Sequence, residues 1–150
     1  MQKIMLALLL IVLLTGCGSV TPVPVTVTPG TEFTLAPNQI ATLADTDLTI
    51  RLVGIAGDER CPSEIECAMN GPVSLTISVQ KASEPPVEFA LQTFTSNNGR
   101  APDGTFEGIE DRIEYEGYAI QVKSVLPFPQ KSSDEIRDSE YRVTFVVSEE

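Results

Sequence analysis

Val73-Ser74-Leu75-Thr76-Ile77-Ser78-Val79-Gln80 decides the fold. Apolar and small polar residues alternate strictly, so one face of an extended strand is apolar and the other polar. The same period of two recurs in Val87, Phe89 and Leu91, and in Tyr141, Val143, Phe145 and Val147. It also runs through Leu48, Ile50 and Leu52, after which the phase slips at Val53 and Ile55, as a bulge near Gly54 would cause. Tyr115-Glu116-Gly117-Tyr118 is a hairpin signal, with Gly117 suited to positive φ in a two-residue turn. Turn residues at Pro37-Asn38, Asn70-Gly71, Pro85-Pro86, Asn97-Asn98-Gly99 and Asp103-Gly104 separate the runs. Strands are expected at Thr31–Leu35, Ile40–Leu43, Leu48–Ile55, Val73–Lys81, Val87–Thr93, Arg112–Tyr115, Tyr118–Val125 and Tyr141–Ser148. Their inward residues are expected to be Leu48, Ile50, Leu52, Val73, Leu75, Ile77, Val79, Phe89, Leu91, Tyr118, Ile120, Val122, Val143 and Phe145. The fold class is therefore all-β: an antiparallel, immunoglobulin-like β-sandwich or a small barrel of about 7–8 strands. Helical signals are confined to a cap at Ser132-Ser133-Asp134-Glu135, good for one turn through Arg137, and a second short turn inside the Cys61–Cys67 loop.

The chain opens with Met1-Gln2-Lys3 and an unbroken apolar run of 11 residues from Ile4 to Leu14. A positive head, an apolar centre and small residues before a cleavage point make an export signal. The competing reading, a transmembrane helix, needs about 20 apolar residues. Leu14-Thr15-Gly16-Cys17 resembles the lipobox of bacterial lipoproteins. That resemblance implies removal of residues 1–16 and a diacylglycerol on the Cys17 sulfur, which makes the membrane the first partner. Export leaves 134 residues, enough for one ordinary domain and its core. Gly18 to Gly30 alternates Pro, Thr and Val without charge and reads as an extended tether of ~40 Å. A first edge strand over Val23–Thr28 is the competing reading, opposed by the prolines. The expected organisation is thus a leader over 1–16, a lipidated tether over 17–30 and a β domain over 31–150.

With Cys17 assigned to lipid, Cys61 and Cys67 form an even pair in an oxidising compartment and are expected to be one disulfide. So short a loop contributes only about 2 kcal/mol through chain entropy. A redox pair is the alternative, although the spacing is C-x5-C rather than C-x-x-C.

The formal charge of -11 argues against nucleic-acid binding and against docking on anionic headgroups. Histidine is absent, which removes the usual hydrolase triads, most zinc sites and imidazole general bases. No nucleophile elbow or phosphate-cradling glycine motif is present. We therefore expect no catalytic residues, no metal and no cofactor. Asp103, Glu107, Glu110, Asp111, Glu114 and Glu116 offer hard oxygen ligands of the kind calcium takes, but without the spacing of an EF-hand. A solvated acidic loop and strand face is the preferred reading of them.

The densest motif runs from Gly57 to Gly71: Gly-Asp-Glu-Arg-Cys-Pro-Ser-Glu-Ile-Glu-Cys-Ala-Met-Asn-Gly. It resembles a group of bacterial secreted and lipid-anchored proteins carrying a D-x-R-C-P … C-x-W-x-G segment. Asp58, Arg60, Cys61, Pro62, Cys67 and Gly71 match, whereas Met69 stands where that group has tryptophan. The group ends in a strand, a Pro-x-Pro turn and a Tyr-led strand, similar to Val122–Pro129 and Tyr141–Val147 here. The resemblance implies a fold and a compartment but no reaction.

Two readings of this segment follow. In the first it is turn chemistry: the disulfide closes a loop, Pro62 stiffens it, and Asp58 accepts backbone N–H bonds or pairs with Arg60. In the second, Asp58, Glu59, Arg60, Glu64, Glu66 and Met69 form a recognition loop. Three functions are compatible with the chain. The leading one is a lipid-anchored, non-catalytic β module that binds an unidentified protein or polymer or organises the envelope. The second is an inhibitor of an extracellular enzyme. The third is a hydrolase built on paired carboxylates, which would need two acids in a shared cleft.

Overall fold

The computed structural model describes residues 23–150. The leader and Cys17 lie outside the described residues. Among the described residues nine strands form two sheets: β1 (Val25–Val27), β2 (Phe33–Leu35), β3 (Ile40–Leu43), β4 (Leu48–Asp58), β5 (Val73–Lys81), β6 (Val87–Thr93), β7 (Arg112–Tyr115), β8 (Tyr118–Leu126) and β9 (Arg142–Glu149). The first sheet has the order β1-β3-β4-β5-β6 and the second β2-β9-β8-β7. The two do not close into a barrel, so the sandwich alternative holds. Among the described residues no helix is long and apolar enough to cross a membrane.

The core lies between the sheets. Leu48, Ile50, Leu52, Val73, Leu75, Ile77, Val79 and Leu91 face it from the first sheet. Leu35, Ile120, Val122, Val125, Val143, Phe145 and Val147 face it from the second. Two of the expected inward residues, Phe89 and Tyr118, are only half-buried and pack on the core margin. They lie near the sandwich edge, where Phe89 meets Tyr115 edge-on with ring centroids 5.9 Å apart. The hairpin between β7 and β8 forms as read, with positive φ at both Glu116 and Gly117 and Tyr115 opposite Tyr118.

Several details depart from the sequence reading. The competing edge-strand reading of Val23–Thr28 is the one found: Val25–Val27 is an edge strand, so the folded region begins ahead of Thr31. It pairs parallel to β3, Val25 against Ala41 and Val27 against Leu43. Pro24 and Pro29 flank this strand and do not interrupt it, so they terminate pairing without costing a ladder bond. The expected slip in β4 is present between Leu52 and Gly54, and a second follows between Ile55 and Gly57. Another, between Val122 and Ser124, interrupts β8. Ser132 caps a single 3-10 turn, Ser133–Glu135, its hydroxyl accepting from the Asp134 amide at 3.2 Å. The Cys61–Cys67 loop holds a hydrogen-bonded turn, Ile65 N–H to the Pro62 carbonyl, rather than a helical one.

Candidate functional site: the cystine segment and its buried ion pair

β4 ends at Asp58 and the chain turns into the cystine loop. Cys61 and Cys67 are joined, with their Cα atoms 5.9 Å apart. The loop backbone is fastened at several further points. The Cys61 amide donates to the Asn70 side chain at 2.8 Å, the Ser63 amide to the Pro129 carbonyl at 3.0 Å, and the Glu64 amide to the Gln130 carbonyl at 2.9 Å. Glu59 and Gly71 cross so closely that a Cβ on Gly71 would lie 2.5 Å from the Glu59 carbonyl oxygen. Gly71→Ala is therefore expected to cost about 1–3 kcal/mol through forced backbone displacement. A lowered denaturation midpoint of the full chain would register this, and an unchanged midpoint would contradict it.

Asp58 and Arg60 are turned inward, which removes them from the expected recognition surface. The Arg60 side chain is wholly buried and that of Asp58 is 4 % exposed. A guanidinium has five N–H donors, and here all five have acceptors. Nε and Nη2 fork onto the two Asp58 oxygens at 2.8 and 2.6 Å. Nη2 also donates to the Pro127 carbonyl at 2.9 Å. Nη1 donates to the Val125 carbonyl at 2.9 Å and, more weakly, to the Thr95 hydroxyl at 3.4 Å. The Phe128 ring lies 5.1 Å from the guanidinium carbon and covers its face. One arginine thus fastens the end of β4, the loop after β6 and the turn after β8.

The same carboxylate accepts the Tyr141 hydroxyl at 3.0 Å. Burial, and then the adjacent Asp58 charge, push the Tyr141 phenol well above its ordinary range, so it stays protonated and donates. Three separate stretches of the chain therefore meet here: Asp58 and Arg60, the Pro127-Phe128-Pro129 turn, and the tyrosine leading β9. Both arrangements expected of Asp58 are present, since it pairs with the Arg60 side chain and also accepts the Arg60 amide at 3.2 Å. Its link to Tyr141, 83 positions away, has no signal in the local sequence.

The remaining residues of the expected recognition loop face solvent. Glu59, Glu64, Glu66 and Met69 are exposed, Met69 at 86 %, and Ile65 beside them is half exposed. A firmly held backbone thus presents two apolar side chains among three carboxylates.

Of the acids in the Asp103–Glu116 region, Asp103, Glu107, Glu110, Glu114 and Glu116 are exposed, and Asp111 accepts from the Gln121 side chain at 3.2 Å. Among the described residues no three His, Cys, Asp or Glu side chains are grouped to hold a metal ion. Beside Asp58 lies an open cleft of about 360 Å³, lined by Ile55, Gly57, Asp134, Asp138 and Tyr141 among others. Asp134 and Asp138 are exposed, while the oxygens of Asp58 are occupied by Arg60 and Tyr141. The chain finds no match among protein families, curated proteins or solved structures.

Proposed function

We propose that this chain is an extracytoplasmic β module, anchored through lipid on Cys17, that binds a protein or polymer and does not catalyse. The observation that carries the reading is the division of labour in the cystine segment. Its two inward charges hold the sheets together, while Glu59, Glu64, Ile65, Glu66 and Met69 face outward on a backbone fixed before any partner arrives. Preorganisation of this kind lowers the ordering cost of binding. The leader and the cysteine pairing support the extracytoplasmic compartment.

A second reading, inhibition of an extracellular enzyme, is favoured by one feature. Ser63 to Asn70 is exposed throughout and is closed by the disulfide, as suits insertion into a basic target cleft. Carboxylate hydrolysis needs a desolvated acid with a second one in reach. Asp58, though buried, already serves Arg60 and Tyr141.

Two results test the proposal. Mass spectrometry of the chain from its native membrane is expected to find an acylated Cys17 at the N-terminus, and Cys17→Ser is expected to leave the membrane fraction. An intact Met1, or a serine variant that still partitions into membranes, would contradict the anchor. Incubation of the full chain with envelope polymers is expected to yield no new ends, and turnover abolished by Asp134→Asn or Asp138→Asn would contradict a binding role.

A further inference from the structure

Among the described residues, half of β4 has no strand on its outer side. β3 pairs with it only from Thr49 to Arg51, and two backbone bonds join Leu52 to Asn38 and Gln39. β4 continues to Asp58, held from then on by β5 alone, and the two register shifts leave Val53 and Ala56 without partners. Among the described residues no other backbone hydrogen bond reaches Val53–Gly57 from the outer side. Two depressions, of about 360 and 310 Å³, lie along this edge and share Ile55, Ala56 and Asp138, so they form one groove. Its far wall is the Ser133–Asp138 segment.

We propose that this groove takes an extended basic segment of a partner protein, which adds as a strand to Val53–Gly57 and sets its cations against Asp134 and Asp138. The proposal rests on the binding reading above and names the chemistry of the partner. An uncovered sheet edge is a template for another backbone. Natural edges are blunted by lysine, by proline or by a covering element. The stretch Val53-Gly54-Ile55-Ala56-Gly57 carries no charge and no proline. Two bulges, at Val53 and Ala56, interrupt its ladder with β5 and twist the strand locally. A Cβ at Gly54 or Gly57 would meet nothing within 4 Å, so the face of the sheet is uncovered at these two positions.

Charge selects the occupant. Among the described residues, the only ionisable side chains lining the groove, apart from the Tyr141 phenol, are Asp58, Asp134 and Asp138. Among the described residues Asp134 and Asp138 make no ion pair, and Arg137 between them is engaged by Glu140 at 3.1 Å. A second copy of the chain, itself at -11, would be repelled.

The test uses the full chain in detergent micelles and a blocked peptide of alternating lysine and valine. One control replaces lysine with glutamate, and another replaces valine with proline so that the peptide cannot pair. The lysine–valine peptide is expected to slow amide exchange at Val53–Gly57 and to bind roughly tenfold more tightly than either control. Reversing the two exposed acids, Asp134→Lys with Asp138→Lys, is expected to weaken it roughly tenfold without disturbing the fold. Equal binding of the proline control would overturn strand addition, and equal binding of the glutamate control would overturn the charge argument. Protection appearing at β6 or β7, or at no strand, would overturn the site. A partner captured at the cystine loop after such a failure would leave the binding reading standing and remove only the groove.

Discussion

Arg60→Ala is expected to cost about 3–5 kcal/mol of folding stability, a large share of the ~5–15 kcal/mol that holds a domain of this size. The loss has two parts. Asp58 remains buried without its countercharge, and the carbonyls of Val125 and Pro127 lose the donors that reach them at 2.9 Å. Arg60→Lys keeps the charge but cannot reproduce a fork onto two carboxylate oxygens together with three other acceptors, so it should recover only part of the loss. Asp58→Asn combined with Arg60→Ala should cost less than the two single changes summed, because each single change strands a buried charge. Denaturant unfolding followed by far-ultraviolet circular dichroism reads all of these. A loss for Arg60→Ala below about 1 kcal/mol would mean that the pair is ornamental.

Phe145→Ala is expected to cost a similar amount, about 3–5 kcal/mol, by a different route. Phe145 is fully buried near the middle of β9, opposite Phe33 on one side and Val122 on the other. Its ring centroid is 6.0 Å from that of Phe33. Truncation removes apolar surface from water-free packing and leaves a cavity that two hydrogen-bonded sheets cannot close. Met69→Ala supplies the contrast. Its side chain is 86 % exposed, so the same measurement should move by no more than about 0.5 kcal/mol. A comparable loss at both positions would contradict the assignment of core and surface.

The strands were legible where a single physical pattern governs them. β3, β5, β6 and β7 have the bounds that alternation and turn residues indicate, because each alternates without a bulge of its own. β1 was obscured by the prolines on either side of it, which weigh against a strand only when they fall within one. β4 reads as a bulged strand over Leu48–Ile55, and only its last three residues, to Asp58 beyond the second bulge, carry no readable alternation. The site was legible in chemistry but not in orientation. Asp58 and Arg60 sit among glutamates and look like surface. Arg60 is buried by partners 35, 65 and 67 positions away, and no local pattern reports contacts of that range. The outer groove was signalled only by Gly54, Ala56 and Gly57, small residues that alone indicate no ligand.

The outward face of the cystine loop is the proposed recognition surface. A photo-cross-linking residue at position 69 of the full, lipidated chain, activated in its native membrane, tests this most directly. The expected result is one discrete adduct that disappears when Glu64 and Glu66 are changed to lysine and persists when the exposed Glu107 is changed instead. An extracellular enzyme in that adduct, with activity restored by the same charge reversal, would assign the inhibitor reading. No adduct, or one indifferent to Glu64→Lys and Glu66→Lys, would contradict the claim that this loop is a recognition surface.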